Sequence, residues 1–349
     1  MAAPGGPLAY ASAEGPDAMG REIAQGPDAV EATLAAVEAL SPQIANLVAE
    51  AGRIVLVGTG ASLAVIRIAA PLWRTARQNV SLLVRQATEI ALGDLDGAWI
   101  EATDVVVAIS QSGSSPETLA AARLARVAGA RVLAVTAHPD SALASTATLS
   151  VPLASGEETG AATKSALASL AAVLGIAVCL RTDSASVLGL RADLGARATW
   201  TEAVEAAELL AGARHAWMLG FGAEEGIAAA ANLLWHEKVI RPATAATPSE
   251  FRHGLIESVV PQDVVLLISA LDYGERTAGY LDRLRGELRT LDVPVLELRA
   301  RALEPGPAAL ELLFRVQHLA RATALAAGTY REQFAILRRV VKPADDLLG

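Results

Sequence analysis

Only one cysteine, Cys179, occurs in the 349 residues. A single thiol excludes an intrachain disulfide framework and a multi-cysteine metal site, and it fits a reducing, cytoplasmic compartment. No apolar run reaches the ~20 residues that a membrane-spanning helix needs. The longest uncharged one, 165–180, has 16 residues with serines inside it, so a buried helix is expected there and no membrane partner. Residues 1–17 are rich in Ala, Gly and Pro but lack a basic region followed by a continuous apolar stretch, so they read as disordered and not as a secretory leader. A basic cluster is also missing, and the net charge is −9, which speaks against nucleic acid or an anionic membrane surface as partner. Of the five histidines, His138, His215 and His318 have no companion ligands nearby, and His236-Glu237 lacks the second His of a helical zinc motif. No metal and no cofactor are expected.

What the chain has in quantity is apolar residues, 52%, much of it alanine, in a length that suits two domains. It also repeats itself. Arg53–Gly58 before Thr59-Gly60-Ala61 resembles His215–Gly220 before Phe221-Gly222-Ala223, 162 residues on. Asp104–Ser110 recurs as Asp263–Ser269 at an offset of 159, and Arg131–Val135 as Pro294–Leu298 at an offset of 163. Each copy alternates short Val/Leu/Ile runs with helical stretches such as 117–129 and 275–290, the pattern of a parallel sheet covered by helices. The expected order is a helical segment (18–51), a first copy (52–182), a helical connector (183–211), a second copy (212–327) and a tail (328–349) closing the site.

Ser110-Gln-Ser-Gly-Ser-Ser-Pro-Glu117 follows the run 104–109 directly. Ser115 is placed to cap a helix beginning at Pro116, so the loop offers hydroxyls and backbone N–H groups at the positive end of a helix. That composition suits an anion, although serines also fill turns for purely structural reasons. Gly58-Thr-Gly-Ala-Ser62 offers one more hydroxyl. The second copy has Ser269-Ala-Leu-Asp-Tyr-Gly-Glu275 instead, whose acidic groups would repel a phosphate. A helix over 224–239 places Glu237 one turn beyond Leu233 and Leu234, where apolar surroundings would raise its carboxyl toward a general base's range; an ion pair with Lys238 or Arg241 is the plainer reading. Residues 247–254 form an irregular polar stretch concentrating Glu250, Arg252 and His253. His253 titrates in the useful range but a lone loop histidine is often only surface. Cys179 reads as packing, and Arg123 and Arg126 as a solvated face.

From residue 19 onward the sequence resembles the sugar isomerase (SIS) domain family, in the tandem form found in the isomerase half of glucosamine-6-phosphate synthases. The blocks that carry the likeness occur in order: Met19-Gly-Arg-Glu-Ile-Ala-Gln25, Gly60-Ala-Ser62, Ala87-Thr-Glu89, Ser110-Gln-Ser-Gly113, Glu158-Thr-Gly160 with Thr163-Lys164, and Glu250-Phe-Arg-His-Gly254. The resemblance implies an α/β fold of two tandem flavodoxin-like or Rossmann-like domains. It implies phosphate contacts from Ser62, Ser110, Gln111, Ser112 and Ser115, with Thr163, Lys164, Glu250 and Arg339 also binding substrate. Glu237 and His253, 16 residues apart, match the family's enolization base and ring-opening histidine. That histidine reaches in from a neighbouring subunit in the family, so a homodimer is implied.

The departures are equally specific. No glutaminase domain or its cysteine nucleophile precedes the repeat in this sequence, so ammonia release from glutamine is not expected. Arg339 stands where the family has its Schiff-base lysine, and a guanidinium forms no imine. Leu234 replaces a second active-site lysine. The expectation is an aldose-ketose isomerase for a sugar with a 6-position anion, with Lys164, Arg339 or backbone N–H groups as donors to the enediolate oxygen. The alternatives are an amino-sugar-6-phosphate deaminase, an isomerase of a sulfonated sugar such as sulfoquinovose, and a non-catalytic sugar-phosphate sensor. The absence of Lys and Arg between Ser110 and Glu117 suits phosphate or sulfonate alike.

Overall fold

A computed structural model of the chain describes residues 15–49, 51–76, 80–93, 100–181, 186–270 and 273–337. They form two compact units, one built on residues 26–158 and 164–191, the other on 15–25, 159–163 and 192–333. In chain order the elements are α1 (Ala18–Ala24), α2 (Gly26–Ala39), α3 (Ser41–Val48), β1 (Arg53–Gly58), α4 (Ala61–Ala76), β2 (Ser81–Gln86), α5 (Ala87–Ala91), β3 (Asp104–Ile109), α6 (Pro116–Val127), β4 (Arg131–Thr136), α7 (Ala142–Thr146), β5 (Leu149–Pro152) and α8 (Lys164–Cys179). There follow α9 (Ala196–Gly212), β6 (Ala216–Leu219), α10 (Ala223–Leu234), β7 (Ala243–Ala246), α11 (Pro248–Arg252), β8 (Val264–Ser269), α12 (Glu275–Thr290), β9 (Val295–Arg299) and α13 (Pro305–Ala326).

In the first unit all strand pairs are parallel, in the order β2-β1-β3-β4-β5. After Asp104, β3 is an unbroken Val/Ala/Ile run because both of its faces are buried. Val55, Val57, Val106, Ala108, Val132 and Ala134 turn one face of the sheet to Ala121, Ala122 and Ala125 of α6. The small alanines let that helix lie close. On the other side α4 and α2 pack on α8, whose residues are buried almost throughout, as the uncharged run 165–180 predicts. No helix among the described residues is long and apolar enough to cross a membrane.

In the second unit the order is β7-β6-β8-β9, again all parallel, so the topology of the first four strands recurs. Trp217, Leu219, Val265 and Leu267 pack on Leu281, Leu284 and Leu288 of α12 and on Phe251 of α11. α10 packs along β6, β7 and β8 and against α13, which also carries α9. The duplication reaches single interactions. Arg53, where β1 begins, is paired through two contacts with Asp104 of β3, at 3.1 and 2.6 Å. Arg214, just before β6, holds Asp263 before β8 at 2.8 Å twice.

Two expectations need correction. Residues 18–51 do not lead the first copy as a block, because α1 packs on α13 in the second unit. Asp17, expected in a disordered start, caps α1 by accepting from the Gly20 N–H at 2.8 Å and is buried with Arg321. Residues 1–14 and the part of the tail after 337 lie outside the described residues.

Candidate functional site

In the first unit, the turn after β1 and the loop after β3 leave neighbouring strands at their carboxyl ends, the place where parallel sheets expose ligand sites. Ser62 stands in the first turn of α4 and is half-buried; Ser110 is buried at the end of β3. The loop is held by its carbonyls. The Gly113 N–H donates to the Ser110 carbonyl at 3.0 Å, the Ala137 N–H to the Gln111 carbonyl at 3.0 Å, and the Leu143 N–H to the Gly113 carbonyl at 3.0 Å. The serine hydroxyls then converge: Ser110 Oγ lies 3.5 Å from Ser112 Oγ, and Ser114 Oγ donates to Ser112 Oγ at 3.1 Å. Ser115 stands at the N-cap of α6, before Pro116, as the sequence predicts. Its side chain makes no capping bond, however, and its hydroxyl donates to Glu117 Oε2 at 3.1 Å.

Gly113 sets the loop's shape. Its φ is +63°, and a Cβ there would meet Ser141 Oγ at 2.1 Å and Thr136 Oγ1 at 2.8 Å. Gly113→Ala should therefore lower stability by about 1–3 kcal/mol, the usual range for an overpacked site. It should also spread the hydroxyls, and loss of one or two contacts worth ~1 kcal/mol each weakens inorganic phosphate binding about tenfold. Titration calorimetry with phosphate checks this; unchanged affinity would separate the loop from anion binding.

The second unit holds Thr163, Glu237, Glu250 and His253. The helix expected over 224–239 is not uniform: α10 stops at Leu234, and Trp235–Val239 forms a π turn closed by the Ile240 N–H on the Trp235 carbonyl at 2.7 Å. Pro242 disfavours helix in the residue before it, and Ile240 ends the turn at a φ of 55°, strained for a β-branched side chain. Widened turns of this kind recur at functional sites. Glu237 sits within it, half-buried. Lys238 turns inward, with 1% exposure, to the carbonyls of Arg331 and Glu332.

Residues 247–254 are not irregular. Thr247 and Glu250 form a capping box at the start of α11, in which Glu250 Oε2 accepts from the Thr247 N–H and hydroxyl at 3.0 Å each. These bonds hold the Glu250 carboxyl below its ordinary range, and they engage one of its oxygens in the helix cap. Arg252 grips Glu287 at 2.7 and 2.6 Å. His253 ends α11 and is exposed. α10 packs on β6, β7 and β8 and is covered by α13, whereas Phe251 of α11 joins the cluster beneath α12.

Thr163 is buried and its carbonyl accepts from Gln317 Nε2 at 2.8 Å. Lys164, the first residue of α8, is buried in the first unit. Arg339 lies outside the described residues. Where the first copy has Ser62, the second has Glu224, whose carboxyl burial pushes up. His318 is buried between Trp200 and Phe314, and burial with the nearby Arg321 charge brings it down to about 3. Burial also pushes the Cys179 thiol up. Among the described residues no three His, Cys, Asp or Glu side chains gather as a metal site requires.

Parallel sheets flanked by helices, with a hydroxyl-lined loop at a strand's carboxyl end, define an α/β fold of the kind seen in phosphosugar-isomerase structures. More specifically, residues 47–178, which hold that loop with Ser62 and Lys164, match the SIS domain family model. The chain is 30% identical over 298 residues to the isomerizing glutamine–fructose-6-phosphate aminotransferase of Aeropyrum pernix. That alignment covers 80% of this chain and 48% of the relative, so the chain spans about half the relative's length. Among solved structures it is similar to tagatose-6-phosphate ketose/aldose isomerase from Escherichia coli, with a TM-score of 0.77 and 21% identity over 92% of this chain and 96% of that one. It is also similar to the C-terminal domain of glucosamine-fructose-6-phosphate aminotransferase from Francisella tularensis (TM-score 0.75, 21% identity, 91% of this chain, 98% of that one). At such identities the two structures establish the fold.

Proposed function

We propose that the protein is an aldose-ketose isomerase for a sugar bearing an anion at its 6-position. The observation that carries this reading is the Ser110–Ser115 hydroxyl loop within the region that matches the SIS domain model, retained in a chain that also keeps Glu237 and, 16 residues later, His253. Ser62, Ser110, Gln111, Ser112 and Ser115 hold the anion. His253 moves the proton that opens the ring. Glu237 then takes the proton from C2 of the aldose and returns it to C1, and Lys164, Arg339 or backbone N–H groups stabilise the enediolate oxygen.

In this reading the protein is a homodimer in which His253, exposed at the end of α11, serves the neighbouring copy's site. Names of the similar proteins, a ketose/aldose isomerase and an isomerizing aminotransferase, support the same reaction class. Arg339 and Leu234, in place of amines, weigh against imine chemistry.

The test is proton NMR in D2O with glucose 6-phosphate, fructose 6-phosphate, glucosamine 6-phosphate and sulfoquinovose, alongside an ammonia assay. Deuterium entering C2 or C1 of one sugar without ammonia supports the isomerase and identifies its anion. Ammonia from the amino sugar makes the protein a deaminase. Binding without any exchange makes it a sensor.

A further inference from the structure

Lys238 follows Glu237 in the π turn, yet its ammonium is directed inward. It donates to the carbonyls of Arg331 at 2.8 Å and Glu332 at 3.1 Å and lies 5.3 Å from the centre of the Tyr330 ring. A second fastening joins the same two segments: Thr329 Oγ1 donates to the Val239 carbonyl at 2.8 Å, satisfying one of the acceptors that a helix end leaves open. The third element is Gly160. At a φ of +91°, a Cβ on it would meet the Glu332 carbonyl oxygen at 2.6 Å and Lys238 Nζ at 2.9 Å, so only glycine lets the chain pass this close. Residues 329–332 are anchored from their far side as well, since Glu332 accepts from the Ala18 N–H and the Tyr330 hydroxyl from the Met19 N–H, both in α1.

A buried ammonium needs such a setting, because taking it out of water costs several kcal/mol unless acceptors and charge replace the water. A methionine would fill the volume without that cost, so the cation marks a job that packing alone does not do. We propose that Lys238 is a positioning residue: by binding the Arg331 and Glu332 carbonyls it locks the π turn to residues 329–332 and fixes the direction in which the Glu237 carboxylate leaves that turn. The inference rests on Glu237 being the enolization base.

The groups facing Lys238 are Glu237 from its own turn, Glu332 and Tyr330 from the C-terminal segment, and Glu22 and Asp17 from α1 and its cap, with Arg321 of α13 engaged by Asp17. Burial draws the Lys238 ammonium below the ordinary lysine range against the pull of those carboxylates. Its deprotonation should accordingly contribute an alkaline limb to kcat.

The experiment measures kcat, KM and pH profiles for isomerisation of the sugar that exchanges in the NMR test, on the full chain, with circular dichroism to confirm folding. Lys238→Met should lower kcat by about 10²-fold, the scale of an ångström of misplacement. KM should change little and the alkaline limb should vanish. Thr329→Val, which removes the second fastening and no charge, should give a smaller fall of the same kind while keeping the limb. Folded variants with wild-type kcat and an intact limb overturn the proposal; if Lys238→Met does not fold, a wild-type kcat in Thr329→Val does so alone. A Glu237→Gln variant that still exchanges the C2 proton overturns the base assignment instead, and the two failures are thus distinguishable.

Discussion

Replacing Glu237 by glutamine should lower turnover by about 10²–10⁴-fold, the usual contribution of a positioned general base. Glutamine has the same shape and still accepts a hydrogen bond at its carbonyl oxygen, so the π turn and its packing are preserved, but the amide cannot take a proton from carbon. The loss should fall on kcat, and inorganic phosphate should bind as before, because the hydroxyl loop of the first unit is untouched. Deuterium wash-in at C2 gives the sharper readout, since it follows the proton transfer itself and ignores product release. Glu237→Asp should fall between the two, with a competent base drawn back by one methylene. Normal wash-in by the glutamine variant would remove Glu237 from the mechanism, and the search for a base would move to the other carboxylates of the second unit.

The parts of this architecture legible in the sequence are those governed by local pattern. Strands buried on both faces must be continuous Val/Leu/Ile runs, so 104–109 and 263–269 announce β3 and β8, and the offsets of 159 to 163 bring out the second sheet. The stretch 275–290 coincides with α12. The serine loop was legible because Pro116 and the preceding strand fix where it lies. The capping box of α11 is spelled by Thr247-Pro-Ser-Glu250, but the polar composition of the segment masks it and the stretch reads as irregular. Other features depend on partners far away in the chain. Lys238 reads as one more position at helical spacing, since the carbonyls that hold it come from residues 93 and 94 positions later. The π turn follows from the same tertiary demands and has no periodicity of its own to betray it.

Asp17 is the extreme case of that kind, and it yields the largest expected effect on stability. Arg321, with no exposure, reaches it across the chain with Nε at 3.1 Å from both carboxylate oxygens and Nη2 at 2.7 Å from Oδ2, while the guanidinium stacks 4.2 Å from the Trp200 ring centre. Burial pushes the Asp17 carboxyl up, but the Arg321 hydrogen bonds and charge with the Gly20 N–H outweigh it and hold the group below its ordinary 3.8. Arg321→Met leaves that carboxylate buried without its cation and should cost about 3–5 kcal/mol, measured by urea unfolding at neutral pH. Adding Asp17→Asn should restore part of the loss, because removing both charges is cheaper than stranding one. The sign of the pH dependence follows from the shift. In the wild type the stabilisation is present above the unfolded value of 3.8 and fades as pH falls through the lower folded value, whereas in Arg321→Met burial alone acts on Asp17 and raises it. The stability gap between the two proteins should therefore begin to narrow above 3.8, as Asp17 of folded Arg321→Met takes up its proton, and go on narrowing through the lower wild-type value; a gap that stays constant into acid would mean that the pair contributes through packing against Trp200 and not through charge.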